Sequence, residues 1–323
     1  MNWLSQLGEI ILWLVQGIWL FYLVLPMILL LLHFLRGRKH RDTLRKYPVQ
    51  YDRDFDFAAI VTAHQDTRFI LPLIDSCQKQ RYGNFTLYVV ADDCPDFTLD
   101  VDDPRVVLLK PQKALHSKIK SIQLAVDSFR KEHDVMVIFD SDNLLHPSYF
   151  YYLNEYYRRG FMAVQTHMLS KNTSTVYAKL DSIGHIYNTF VERSSKMELG
   201  LSSSILGLGI SLKTSLYHEV MYKDNLGGFD KKLQADVIRT IPQLAFAREA
   251  IVYDEKVDEG QALERQRTRW IHTYFKYFKI NLALLAYGLK TFNFNKAFFG
   301  FTTLRPPLFL LVIISLIAAG IWY

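Results

Sequence analysis

Apolar residues follow three patterns along the chain. From Ile10 to Leu35 they form a continuous run of 26 residues without Asp, Glu, Lys or Arg, and Pro306 to Tyr323 is a second uncharged run. Between them, from Asp56 onward, short apolar stretches alternate with segments whose apolar residues recur at helical spacing. Phe57–Thr62, Phe85–Ala91, Arg105–Leu109 and Val135–Phe139 are expected to be strands. Phe69–Lys79 and Ser117–Phe129 are expected to be helices, with Ile70, Ile74 and Cys77 on one face of the first and Ile119, Ile122, Ala125 and Val126 on one face of the second. Such alternation predicts an α/β fold with a mainly parallel sheet and helices on both faces.

The first run is long enough to cross a bilayer. As a helix it would extend about 39 Å, against a hydrocarbon core of about 30 Å. Arg36, Arg38, Lys39, Arg41, Arg45 and Lys46 follow it, and no Lys or Arg precedes it. The positive-inside rule then puts everything after residue 36 in the cytoplasm. The run is too long for a cleaved signal peptide and no small-x-small site follows it. The second run follows Arg305 and stops on its last apolar residues, so it reads as an incomplete span. Ile271 to Gly300 mixes Tyr274, Phe275, Tyr277 and Phe278 with Lys276, Lys279, Lys290 and Lys296. Aromatic rings and lysines suit the headgroup layer, and one or two helices lying on the membrane surface are expected there.

Composition sharpens this picture at two points. Half of the 323 residues are hydrophobic and the formal net charge is +6, with a pI near 9.1. The basic residues gather beside the apolar ends and form no stripe on a soluble helix, which points to lipid headgroups and away from nucleic acid. Cys77 and Cys94 make no CxxC and no disulfide framework, so they read as reduced thiols.

In a parallel α/β sheet ligands bind outside the carboxyl ends of the strands. The residues there are Ala63-His64-Gln65-Asp66, Asp92-Asp93-Cys94, Lys110 onward and Asp140-Ser141-Asp142-Asn143. Three of these four edges carry carboxylates. Asp140 and Asp142, one residue apart in a loop, can both turn toward Mg²⁺ or Mn²⁺ and leave positions open for phosphate oxygens. An EF-hand is excluded, because its glycine and terminal glutamate positions hold Leu145 and Tyr151. No GxxxxGK is present and the first strand is not followed by GxGxxG, which excludes a P-loop and a dinucleotide fingerprint. Gln266, Arg269 and Trp270 fall at i, i+3 and i+4, on one face of a helix. There a guanidinium can fork onto phosphate oxygens and an indole can lie under a sugar ring.

Taken in order, these pieces resemble the membrane-bound family-2 glycosyltransferases of the cellulose-synthase, hyaluronan-synthase and ceramide-glucosyltransferase type. The resemblance covers about residues 54 to 270. Thr62-Ala63-His64-Gln65-Asp66 is similar to the PAHNE-like opening, with Gln65-Asp66 in place of Asn-Glu. Ala91-Asp92-Asp93-Cys94 resembles the second-strand motif that holds uridine, Lys118 the lysine that approaches the nucleotide, and Asp140-Ser141-Asp142 the metal-binding DxD. Gly207-Leu208-Gly209 resembles the acceptor-side loop and Gly227-Gly228-Phe229-Asp230 the turn before the catalytic helix. Leu233-Gln234-Ala235-Asp236 falls at the T-E-D position, and Gln266 through Trp270 matches QxxRW. Ala235 departs from the family by replacing the glutamate of the Glu-Asp pair.

The resemblance implies a GT-A nucleotide-sugar-binding domain at 37–270, between an anchor at 1–36, interfacial helices at 271–303 and a terminal span at 304–323. It implies inverting, metal-dependent transfer from a UDP-sugar. Asp236 would be the general base, Asp142 and Asp140 would hold Mg²⁺ or Mn²⁺, and Ala63, Asp66, Asp92, Lys118, Asp140, Gln266 and Arg269 would bind the donor. Gly209 and Trp270 would lie at the acceptor. The acceptor stays open between a growing glycan and a membrane lipid, and either further spans or a channel-forming partner would serve a polymer product. A bacterial inner membrane is the expected location. The alternative is an inactive, membrane-anchored partner subunit of a glycan synthase, which Ala235 favours.

Overall fold

The structure, a computed structural model, describes residues 3–35, 43–221 and 229–322. Gly227 and Gly228 of the expected turn, and Arg36 through Arg41 of the basic cluster, lie outside the described residues. The chain divides into two compact units, residues 43–267 and residues 1–42 with 268–323.

The 43–267 unit is built on one eight-stranded sheet. In chain order its first elements are β1 (Phe57–His64), helix α2 (Ile70–Gln78), β2 (Phe85–Asp92), β3 (Val106–Leu109), helix α3 (Lys118–Asp127) and β4 (Val135–Asp140); α1 (Trp3–Leu35) belongs to the other unit. The apolar runs of β1, β2 and β4 form strands buried on both faces, whereas β3, at the sheet edge, is mostly half-buried. Phe57 to Val61 and Val135 to Phe139 are wholly inaccessible to solvent. The period of two then divides them. Phe57, Ala59, Val61, Phe85, Leu87, Val89, Val135, Val137 and Phe139 face a core closed by Ile70, Leu73, Ile74 and Cys77 of α2. α3 starts where Ser117 caps it by accepting from the Lys120 amide.

The second half comprises β5 (Leu144–Leu145), α4 (Tyr149–Arg158), β6 (Ala163–Ser170) and α5 (Val176–Thr189), then a wider helical turn at Phe190–Ser194 and α6 (Ser195–Glu198). It continues with β7 (Ile210–Lys213), α7 (Thr214–Met221), α8 (Phe229–Thr240) and β8 (Ala245–Asp254). Tyr149, Phe150, Leu153, Tyr156 and Tyr157 of α4 complete the core on the α2 side. The strand order is β3-β2-β1-β4-β7-β6-β8-β5.

The sheet is mixed, where a mainly parallel one was expected. β3, β2, β1 and β4 are parallel to one another, as are β6 and β8. β7 runs antiparallel to both β4 and β6, and β5 antiparallel to β8. Alternating βα units account for the parallel half. β7 follows a loop that places it between two parallel neighbours in the opposite sense, and its buried Ser211 is satisfied by the Tyr157 hydroxyl at 2.7 Å.

The other unit contains α1 (Trp3–Leu35), most of α9 (Gly260–Lys290), α10 (Phe294–Thr303) and α11 (Leu308–Trp322). Within it Trp19 donates to Ser315 Oγ at 2.7 Å, Tyr22 to the Phe301 carbonyl at 2.8 Å and Tyr274 to the Leu304 carbonyl at 2.7 Å. α9 and α10 approach so closely that a Cβ on Gly288 would overlap the Ala297 backbone and one on Gly300 the Leu285 backbone. Among the described residues one helix, residues 6–35, is long and apolar enough to cross a membrane, and α10 with the 308–320 part of α11 passes the same test only as a pair bent by 67°. The segment expected as surface helices continues α9 without a break from residue 260 and then forms α10.

Candidate active site

The carboxyl ends of β1, β2 and β4 lie side by side. The strand register pairs His64 with Asp92 and Thr62 with Asp140, so the parallel ladder alone brings the first, second and fourth strand ends to one edge.

At the β4 end Lys118, the first residue of α3, extends its ammonium to the Asp140 carboxylate and donates to the Gly207 carbonyl at 2.8 Å. The lysine, the first DxD aspartate and the glycine loop thus meet, although they are separated by 22 and 89 residues from Lys118. Asp142 lies beside them. Its neighbour Asn143, wholly buried, donates to Asp142 Oδ1 at 3.1 Å and to Asp254 Oδ1 at 3.0 Å, and accepts the Asp140 amide at 3.0 Å. Lys171 donates to the Asp142 carbonyl at 2.9 Å.

Burial, then the neighbouring Asp254 and Asp140 charges, push the Asp142 carboxyl up to about 7. Burial also raises Asp254. Carboxylates held this way repel one another unless a cation joins them, and their all-oxygen donor set suits a hard divalent ion. The residues present therefore fit Mg²⁺ or Mn²⁺.

Sequence reasoning missed Asp254. It ends β8, 112 residues after Asp142, and no local motif marks it. Its carboxylate takes a 2.9 Å bond from Lys256, which is 3.9 Å from Asp181, and Asp181 accepts from Arg267 at 2.7 Å. A charged chain thus runs from the DxD loop to the first turns of α9.

The β2 end is more enclosed. Asp92 is 1 % exposed, and its carboxylate accepts the Leu115 amide at 2.6 Å, the His116 amide at 2.9 Å and His64 Nδ1–H at 3.0 Å. Ala63 is buried at the end of β1. Asp66 is half-buried and paired with Arg68, whose hydrogen bonds hold its carboxyl down at about 2.

Gly209 sits at φ +63 with Thr166 Oγ1 where a Cβ would be, and its amide donates to the Ile138 carbonyl at 2.7 Å. Asp236 is half-buried on α8, whereas Ala235 is 1 % exposed. Gln234 is buried and accepts the Ile205 amide at 2.7 Å. Gln266 lies in the 43–267 unit with its Oε1 buried and unpartnered among the described residues. Arg269 and Trp270 follow on α9 in the other unit, both exposed.

Residues 54–273 match the family described as Glycosyltransferase like family 2. No curated protein matches the sequence. Among solved structures the chain is similar to the mannosyltransferase PcManGT from Pyrobaculum calidifontis in complex with GDP-Man and Mn²⁺. The TM-score is 0.55 at 12% identity, over 95% of this chain and 92% of that one. It is also similar to S. aureus TarS 1-349 in complex with UDP-GlcNAc, with a TM-score of 0.45 at 15% identity, over 71% of this chain and 66% of that one. The first likeness identifies the fold as GT-A-like.

Proposed function

The chain belongs to the glycosyltransferase family 2-like proteins, and from that premise we propose that it transfers a sugar, with inversion, from a nucleotide-sugar to a glycan or lipid-linked acceptor at a membrane. The observation that carries the reading is the cluster of Asp140, Asp142 and Asp254 at the end of β4 and β8, braced by Asn143 and Lys118.

A divalent ion held by Asp142 with Asp140 would supply positive charge beside the leaving diphosphate. The chain's own residues do the rest. Lys118, already placed against Asp140, turns its ammonium to the phosphates. Ala63, Asp66, Asp92 and Gln266 line the donor. Asp92, fixed by two backbone amides, holds the nucleoside end through the loop it organises. Asp236 takes the proton from the acceptor hydroxyl as it attacks the anomeric carbon. Gly209 keeps the acceptor-side loop close to the sheet.

The apolar helix at residues 6–35 supports an anchored enzyme, with residues after 36 in the cytoplasm of a bacterial cell. The family resemblance favours a UDP-sugar, while the structurally similar Pyrobaculum calidifontis mannosyltransferase is in complex with GDP-Man. Incubating the detergent-solubilised chain with a panel of UDP- and GDP-sugars and native membrane extract tests the reading. Release of the nucleotide from one donor with transfer of its sugar to extract is expected. Intact donors throughout would favour the inactive partner subunit, for which Ala235 is the supporting feature.

A further inference from the structure

A second, chemically different group of ligands stands at the ends of β1 and β2. His64, Asp93 and His116 each present one donor atom, and the three atoms lie within 4.8 Å of one another. His64 ends β1, Asp93 follows β2, and His116 lies two residues before α3.

The two imidazoles are set for a shared ligand. His64 donates Nδ1–H to Asp92 at 3.0 Å, which leaves its Nε2 lone pair free. That nitrogen faces His116 Nδ1 at 3.5 Å, and the ring planes are 79° apart. A separation of 3.5 Å is long for a hydrogen bond. It matches the spacing of two nitrogens on one tetrahedral ion, about 3.4 Å for metal–nitrogen bonds of about 2.0–2.1 Å. Asp93 adds a carboxylate, steadied by the Gln65 side-chain amide at 2.6 Å.

The backbone holds this arrangement against its own preference. Gln65, Asp93 and His116 have φ of 61°, 55° and 45°, and the one other such non-glycine among the described residues is Phe292. Asp92 ties the loops together. The same carboxylate orients the His64 ring and binds the His116 amide, the arrangement of a carboxylate behind a metal-bound histidine.

We propose that His64, His116 and Asp93 bind one borderline-soft divalent ion of the Zn²⁺ class, separate from any ion at Asp140 and Asp142. Two imidazoles and one carboxylate select such an ion over Mg²⁺, whereas the oxygen-only DxD cluster selects the reverse. Three protein ligands leave a fourth position for water or a ligand atom.

Cobalt(II) is the probe, because four-coordinate Co²⁺ absorbs visible light far more strongly than the six-coordinate ion expected at carboxylates. The full chain, purified without a histidine tag, is titrated with Co²⁺ and then with Zn²⁺. One equivalent of intense absorption, bleached by Zn²⁺, is expected. His64→Ala and His116→Ala should lose it, Asp142→Asn should keep it, and Asp92→Asn should bind about 10–100-fold more weakly. No intense band in the wild-type chain, or a band that survives His116→Ala, overturns the proposal. So does a band that disappears in Asp142→Asn while both histidine variants keep it. The readout is metal binding itself, so it is independent of whether sugar transfer occurs.

Discussion

Asp142 and Asp254 share the side-chain amide of Asn143, at 3.1 and 3.0 Å. The single donor group holds the two carboxylates side by side, and the Asn143 side-chain carbonyl accepts the Asp140 amide. Asn143→Ala removes all three bonds. Such supporting residues are worth about 10–100-fold in metal affinity, so the Mn²⁺ concentration giving half-maximal activity should rise by that order. Unchanged metal dependence in this variant would show that the bridge does not organise the cluster.

Lys118 joins the same site from α3. Lys118→Met keeps the length of the side chain and removes its charge. The loss of a charge-assisted bond to phosphate, worth about 1.5–3 kcal/mol, should raise KM for the donor about 10-fold or more. A normal donor KM would confine the lysine to its pairing with Asp140 and Gly207.

The stability of the 43–267 unit should depend on His185 under acid conditions. Its Nε2 lies 3.1 Å from the Met168 carbonyl oxygen and 3.1 Å from Thr189 Oγ1. Burial, then the Arg193 and Lys256 charges, hold its pKa down to about 3, from an ordinary 6.5. The folded chain therefore leaves it neutral while the unfolded chain takes up a proton below 6.5. The stabilising effect is full above pH 6.5 and is lost as pH falls toward 3, at up to about 1.4 kcal/mol per pH unit. His185→Gln should flatten the fall of the denaturation midpoint between pH 6.5 and 4.5, and parallel curves for the two proteins would refute the assignment.

In the other unit, the close approach of α9 and α10 leaves no room at Gly300. Gly300→Val should cost about 1–3 kcal/mol through overpacking and lower the melting temperature. Gly320→Val on α11, where no atom lies within 4 Å of a built Cβ, should have little effect. Equal melting temperatures for the two variants would contradict the packing.

What the sequence made legible follows the same physics. β1, β2 and β4 are largely apolar runs buried on both faces, and their ends hold Ala63, Asp92, Asp140 and Asp142 by the geometry of a parallel ladder. Ser117 marks the start of α3, and with it the position of Lys118. The second half is harder to read. β6 carries Gln165 and Thr166 at full burial, made tolerable by partners at Leu206 and Gly209, 41 and 43 residues away. β5 is two residues long, and β8 pairs with β6 through a register shift at Thr166/His167. Asp254, at the end of that strand, is recognised only once the sheet is assembled. Polar residues buried by distant partners break the apolar periodicity on which sequence reading depends.

The most direct test of metal-dependent sugar transfer is nucleotide release from the preferred donor, measured for the wild-type chain with Mn²⁺ and with EDTA, beside Asp142→Ala and Asp236→Asn. The predicted result is release that requires Mn²⁺ and falls by at least about 100-fold in each variant, consistent with loss of a charge-stabilising centre or of the general base. Release that continues in EDTA with Asp142→Ala, or that is undiminished in Asp236→Asn, would contradict the account.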